Sequence, residues 1–480
     1  MRRFLFYFLV LTVFCLGIGI TLKQGQKLQS LPSAATGLSV ANANNGDVTG
    51  VGPSASLLEN LRENLEDPLT HLFIQLILII VVARICGAIA ALVRQPAVVG
   101  EMIAGILLGP SLVGWLWPDF FHFVFPASSL GSLRLFSQIG VCLFMFVVGM
   151  EVDVTQLSRQ ARTAVLVSQA SILFPYLLGV VTALFLFPTF SGAGTTFPAF
   201  ALFIGVSMSI TAFPVLARIL EERGLTKSPL GITALICAAM NDVTAWCILA
   251  LVVAFAKAKS MSSAAFSIAL ILLFVSVMLF WLKPRLPRLL DKTANGSKPG
   301  NGMMAAVLTF VFVSALATDV MGIHALFGAF LAGVIMPARG EFREFLRVRL
   351  EHFSSAFLLP LFFAFTGLRL QIGLVNDTSD WMICTGLIAI ATIGKLGGAM
   401  FTARLTGKNW IDSFALGALM NTRGLVELIA LNIGYDLGIL SPRIFAMLVI
   451  MAITTTCMTG PLLTFCDHLR ARKHLVATAA

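Results

Sequence analysis

Charge is what this sequence has least of. Only 12% of its 480 residues are Asp, Glu, Lys or Arg, about half the share of an ordinary globular domain. No CxxC pair occurs among the eight cysteines at 15, 86, 142, 237, 247, 384, 457 and 466, all of which lie in apolar segments. They read as small packing residues rather than metal or redox ligands. No nucleophile–base or metal-ligand cluster is visible, so an enzyme is not expected. Nor does the pattern alternate apolar and polar residues, which excludes a β-barrel. Apolar runs of 18 or more residues recur instead, predicting an all-α polytopic membrane protein. The net charge of +10 sits in short loops and is no nucleic-acid footprint.

The N-terminus, "MRRFLFYFLVLTVFCLGIGITLKQ", has a basic head and an apolar core, so residues 1–22 read as a signal peptide or anchor. An A-x-A triplet ending at Ala43 lies too far downstream for a cleavage site. Residues 23–68, rich in Ser, Ala, Asn and Gly, read as a flexible extracytoplasmic linker. Thirteen spans follow within 69–466, at about 69–92, 96–115, 133–150, 162–187, 197–221, 230–255, 264–283, 303–318, 323–337, 350–368, 380–403, 411–434 and 441–466. Twenty basic residues, from Arg94 to Lys473, fall in loops on one side. Five (Arg134, Lys257, Lys259, Arg369 and Arg443) fall on the other. This asymmetry predicts a cytoplasmic C-terminus, with 467–480 a short cytoplasmic tail, and suits the plasma (inner) membrane.

An internal repeat is visible. "VVGEMIAGILLGP" carries Gly100, Ala104, Gly105 and Pro110, and "LFGAFLAGVIMP" carries Gly328, Ala332, Gly333 and Pro337. "LFMFVVGMEV" and "LFFAFTGLRL" match at Gly149 and Gly367. Spans 6 and 13 both open with Ser-Pro, and 13 residues after each Pro come Asp242 and Thr455. Each match pairs span n with span n+7, an odd shift. The second unit is therefore inverted: spans 1–6 and 8–13, with span 7 as connector. Such repeats mark secondary transporters, with a midplane site between them. Helix breaks are expected in spans 5 and 12, at Pro214 in "SMSITAFPVLAR" and Gly424 in "LMNTRGLVELIA". Ser207, Ser209, Thr211, Asn421 and Thr422 are expected to supply oxygens there.

Few ionisable residues lie deep: Asp242, Lys395, Arg423 and Glu427, with Glu101, Arg84 and His324 nearer span ends. Arg423 and Glu427, spaced i,i+4, read as a pair on span 12. Glu101, Arg84 and His324 read as structural. Asp242 has no basic residue within a turn of its own span. A desolvated carboxylate favours its neutral form, so it suits exchange of a proton for a hard monovalent cation. Asn241 adds an amide oxygen without charge. Lys395 is expected to pair with Asp242 when no ion is bound, or to compensate the field at the crossing.

Together "VVGEMIAGILLGPSLVG", "SMSITAFPVLARIL", "AAMNDVTAWCILA", "GIHALFGAFLAGVIMP" and "MNTRGLVELIALNIG" resemble the monovalent cation:proton antiporter-2 family, especially plant CHX-type cation/H⁺ exchangers and bacterial relatives. The resemblance covers about residues 69–466. It implies a homodimer of thirteen-helix subunits, with spans 4–6 and 11–13 forming a moving core and spans 5 and 12 crossing. It also implies exchange of K⁺ or Na⁺ for H⁺ by alternating access, with no cofactor and no metal beyond the transported cation. The family's ion-binding Asp falls on Asp242, its neighbour on Asn241 and its buried basic residue on Lys395, while Thr211 and Pro214 match the unwound crossing. Some relatives carry two adjacent acids, associated with exchange of unequal charge. The Asn-Asp pair here implies one-for-one exchange, and Lys395 leaves that count open. No GxGxxG site or large regulatory domain follows span 13, so nucleotide-linked gating is not expected. Two alternatives remain: a gated K⁺ efflux pathway on the same scaffold, and a non-transporting membrane sensor or subunit.

Overall fold

Long apolar runs set the helices, and several are opened by a capping side chain. Asp67 accepts the Leu69 amide at 2.8 Å ahead of Pro68. Ser228 accepts that of Gly231 at 3.0 Å ahead of Pro229. Asn409 accepts that of Asp412 at 2.7 Å. In each case a side chain meets an N–H that the first turn leaves unpaired. The structure, a computed structural model, describes residues 67–93, 95–151, 161–258, 261–288, 301–322, 324–337 and 340–479. The leader at 1–22, nearly all of the linker at 23–68, and the loop charges Arg94, Arg159, Lys259, Lys292, Lys298 and Arg339 lie outside the described residues.

Among the described residues the chain is helical apart from an isolated bridge between Ser191 and Leu440. The main helices are α1 Pro68–Leu92, α2 Ala97–Leu108, α3 Leu130–Glu151, α4 Ala161–Phe190, α5 Phe197–Ser209, α6 Phe213–Glu222, α7 Pro229–Lys257, α8 Met261–Ser276, α9 Asn301–Val320, α10 Ala325–Val334, α11 Gly340–Phe353, α12 Leu359–Leu368, α13 Thr378–Leu405, α14 Trp410–Met420, α15 Leu425–Asp436 and α16 Pro442–Ala479. Among the described residues eleven spans, α5 and α6 together making one, are long and apolar enough to cross a membrane. They become twelve when α14 and α15, bent by 43° at their break, count as one. The sequence count was thirteen. The difference is the segment at 323–337, which forms only the ten-residue apolar helix α10. It is capped at its start by His324, whose ring accepts the Leu326 amide at 3.4 Å. At 1.5 Å per residue it covers about 15 Å, half the hydrocarbon thickness.

Close glycine contacts bring the outer helices together. A Cβ on Gly105 of α2 would stand 2.2 Å from the Phe363 carbonyl of α12, and one on Gly367 would stand 2.0 Å from that of Gly105. The same reciprocity joins α3 and α10: a Cβ on Gly149 would meet the Phe330 carbonyl at 2.2 Å, and one on Gly333 that of Phe146 at 2.1 Å. Only glycine permits backbones to approach this closely.

The other half of the molecule packs α4 along α5 and α13, with α7 and α16 beside the two breaks. The largest cluster of buried Phe, Leu, Ile and Val fills much of the interior, with two smaller ones, around Leu216 and Leu419 and around Leu133 and Leu361, beside it. The outer helix α1 is apolar all round and exposes Leu69, Phe73, Ile77, Val81 and Ile85, as a lipid-facing helix does. Of the seven described cysteines, all free, four are buried and Cys247 faces outward.

Candidate functional site

Two interrupted helices meet at the centre. The first break spans Ile210–Ala212, between α5 and α6, and the second spans Asn421–Gly424, between α14 and α15. They touch directly: the Ala212 amide donates to the Thr422 carbonyl at 3.1 Å, and the Thr211 hydroxyl to that of Met420 at 3.0 Å. Gly424 makes room for this contact, because a Cβ there would stand 2.7 Å from Cγ2 of Val215. Its φ of 166° is ordinary extended backbone. Its role is therefore absence of bulk, rather than the looseness expected from sequence. Pro214 also acts differently from expectation. It sits in the first turn of α6, where its missing N–H costs nothing.

Three helical backbone pairs are split at the first break, and their groups can be followed to new surroundings. In an unbroken helix the amides of residues 211, 212 and 213 would bond the carbonyls of 207, 208 and 209. Here each of those pairs is split. The Ser207 carbonyl accepts from Arg423 Nη1 at 2.6 Å and that of Met208 from Nη2 at 2.7 Å. The Ser209 carbonyl accepts from the Lys395 ammonium. On the other side, the Thr211 amide donates to Asn241 Oδ1 at 3.1 Å and that of Ala212 to Thr422. The Phe213 amide acts on Asp242. Cations thus meet the carbonyl end of α5, and a carboxylate meets the amide end of α6. Both arrangements agree with the helix dipoles.

Asp242 is 1% exposed, and neither of its carboxylate oxygens has a hydrogen bond of ordinary geometry. The positive groups that act on it are the Phe213 N–H, as a backbone donor, and the Lys395 ammonium, and Glu151 is the negative one. Asn241 beside it is fully buried. A backbone N–H can only donate, so Thr211 fixes Asn241 Oδ1 as the acceptor. Nδ2 then donates to the Ser171 hydroxyl at 3.0 Å, and that hydroxyl donates to the Ser168 carbonyl at 3.0 Å. Both ends of the amide are thereby engaged in holding the break.

Lys395 lies on carbonyls rather than on Asp242. Besides Ser209 it donates to the Ser171 carbonyl at 3.3 Å. Arg423 and Glu427 pair at 3.0 Å, both fully buried. The hydroxyls of Ser207 and Ser209 bond back to Ile204 and Val206 at 2.9 Å. Those serines therefore serve the crossing through their carbonyls, not their side chains. Asn421 is fully buried with both side-chain polar atoms unpartnered. Thr422 approaches Thr459, hydroxyl to hydroxyl, at 3.3 Å.

Three residues of the site were missed in the sequence: Ser171, Thr456 and Thr459. Thr456 brackets the second break, accepting the Arg423 amide at 2.9 Å and donating to the Arg423 carbonyl at 2.8 Å. Thr455, the repeat partner of Asp242, bonds only its own helix at Met451 and Ala452. The available signals were the "TTTCMT" run in α16 and the two serines of "VSQAS" in α4. Among the described residues no group of three His, Cys, Asp or Glu could hold a metal.

Comparison with known proteins agrees with this fold. The family model "Sodium/hydrogen exchanger, transmembrane" matches residues 77–466. The chain belongs to the sodium/hydrogen exchanger family. Within this family of cation/proton antiporters it is 41% identical over 388 residues to Na(+)/H(+) antiporter NhaS4 of Synechocystis sp., covering 81% of this chain and 95% of that one. It is 38% identical to Cation/H(+) antiporter 17 of Arabidopsis thaliana, over 83% of this chain and 49% of that one. To K(+)/H(+) antiporter 1 of Saccharomyces cerevisiae it is 34% identical, over 88% and 48%. The chain spans about half the length of these plant and yeast relatives. The structure of the sodium proton antiporter MjNhaP1 from Methanocaldococcus jannaschii superposes with a TM-score of 0.60 at 14% identity, over 82% of this chain and 98% of that one. That likeness shows a shared fold. This exchanger is accordingly a multi-pass integral membrane protein.

Proposed function

We propose that this chain exchanges one monovalent cation, K⁺ or Na⁺, for H⁺ by competition at Asp242. The observation that carries the reading is the Asp242 carboxylate itself, buried, without a hydrogen bond of ordinary geometry, and set at the crossing of two broken helices. An ionised carboxylate so placed costs several kcal/mol unless it is neutralised. A proton or a bound cation neutralises it equally well. The loaded core then crosses and the bare, charged one does not, which is the coupling an exchanger needs.

In this reading α4–α7 and α13–α16 form the moving core and α1–α3 and α9–α12 the scaffold. The reciprocal glycine contacts support the inverted repeat. Under a shift of seven spans, the α2–α12 contact at Gly105 and Gly367 maps onto the α10–α3 contact at Gly333 and Gly149. The same mapping makes α10 the short partner of α2 and a thirteenth crossing. The loop charges support a cytoplasmic C-terminus in the plasma (inner) membrane, and the resemblance supports a homodimer. Asn421 and Thr422 line the crossing, while Lys395, Arg423 and Glu427 balance its field. Asn241 holds the Thr211 amide rather than offering its oxygen to the ion.

The test uses purified protein in liposomes with an imposed acid-inside gradient and a pH-sensitive dye. Adding NaCl or KCl outside is expected to collapse the gradient, while choline chloride leaves it standing. A gradient indifferent to all monovalent cations refutes exchange.

A further inference from the structure

Lys395 is held by two backbone carbonyls, and each has lost its own helical donor. The Ser209 carbonyl is freed by the break after α5. The Ser171 carbonyl lies inside the continuous helix α4, where the amide of residue 175 would ordinarily bond it. Residue 175 is proline, which has no N–H to give. The acceptor for the Lys395 ammonium therefore exists because of Pro175, four residues further along.

The packing of α13 on α4 is built around the same point. Gly394, beside Lys395, lies so close that a Cβ would come within 2.8 Å of Leu178 Cδ1 and 3.1 Å of Pro175 Cα. One turn on, a Cβ on Gly398 would stand 3.0 Å from the Ala170 carbonyl. These two glycines bring the lysine down onto the carbonyl that the proline exposes.

Resting on the exchange reading above, we infer that Pro175 is a positioning residue for transport. By leaving the Ser171 carbonyl free, it holds the Lys395 ammonium off the ion-binding carboxylate. With an N–H at 175, the Ser171 carbonyl returns to its helix and Lys395 loses one of its two acceptors. Of the two buried anions that act on Lys395, Glu427 is already paired with Arg423 at 3.0 Å, so Asp242 is the one left to meet the ammonium, which then competes there with the transported cation.

The experiment titrates purified protein in detergent with NaCl or KCl against choline chloride at constant ionic strength. It reads the concentration giving half-maximal thermal stabilisation. For Pro175→Ala that concentration is expected to rise about tenfold, the effect of one lost hydrogen bond to a charge. In a Lys395→Gln background the same change is expected to move it less than about twofold. Gly394→Ala, which lifts α13 off Pro175 and leaves the proline in place, is expected to reproduce the rise and keeps the inference testable if Pro175→Ala does not fold. An equal effect of Pro175→Ala with and without Lys395, or no effect with it, overturns the inference and leaves exchange intact. Absence of cation stabilisation in the unsubstituted protein, or its survival in Asp242→Asn, overturns the exchange reading and this inference with it.

Discussion

Asp242→Asn reduces cation-driven proton flux to the level of protein-free liposomes. The substitution keeps the size and buried position of the side chain, so the fold survives. What disappears is the one group whose charge depends on its occupant. An amide neither binds a proton at working pH nor neutralises a cation, so no difference remains between loaded and empty states for the membrane to discriminate. A loss of at least about 100-fold is expected, because competition at a single group leaves no second route. The check is the dye assay on the variant beside the unsubstituted protein, both eluting at the same position in detergent. Flux within about threefold of normal contradicts the role assigned to Asp242.

Arg423→Met is expected to be the most damaging substitution for stability. Arg423 is fully buried, pairs with Glu427 at 3.0 Å, and holds the carbonyls of Ser207 and Met208. Methionine fills much of the same volume and satisfies none of these groups. It leaves Glu427 buried and unpaired, a loss of about 3–5 kcal/mol, with two orphaned carbonyls in addition. In detergent the melting temperature falls steeply. Adding Glu427→Gln recovers part of the loss, since the orphaned charge is then gone. A double variant as unstable as Arg423→Met alone shows that the carbonyl bonds, rather than the ion pair, carry Arg423's contribution.

What was legible in the sequence depended on scarcity. Among long apolar runs a lone Asp242, a lone Lys395 and an Arg423–Glu427 pair stand out because each is expensive there. Pro214 and Gly424 marked the two breaks because neither favours a helix interior, although the structure uses them as a first-turn residue and as a gap for Val215. Apart from the Arg423–Glu427 pair, the partners of these residues were not legible. Lys395 was expected to pair with Asp242 or to compensate the field at the crossing, and it lies on the carbonyls of Ser171 and Ser209, because a helix break and an internal proline free backbone acceptors far away in sequence. Ser171, Thr456 and Thr459 were missed because a hydroxyl on an apolar helix usually bonds its own preceding turn, as Ser207, Ser209 and Thr455 do here. The apolar pattern predicted a span at 323–337, but it did not reveal that the helix there, α10, covers only ten residues. The glycine matches were visible, but not that Gly105 meets Gly367 and Gly149 meets Gly333, since contacts between matched spans depend on how the two halves pack.

Competition between proton and cation at one carboxylate is the central claim, and the pH dependence of cation affinity tests it most directly. Exchange is measured in liposomes at equal pH on both sides, over a series of pH values, with Na⁺ and with K⁺. On the acid side the KM for the cation is expected to rise about tenfold for each unit fall in pH, the slope of one proton displaced per cation bound. The maximal rate at saturating cation stays nearly constant across the same series. A KM that holds steady while the maximal rate falls contradicts the account, because proton and cation would then occupy the protein together.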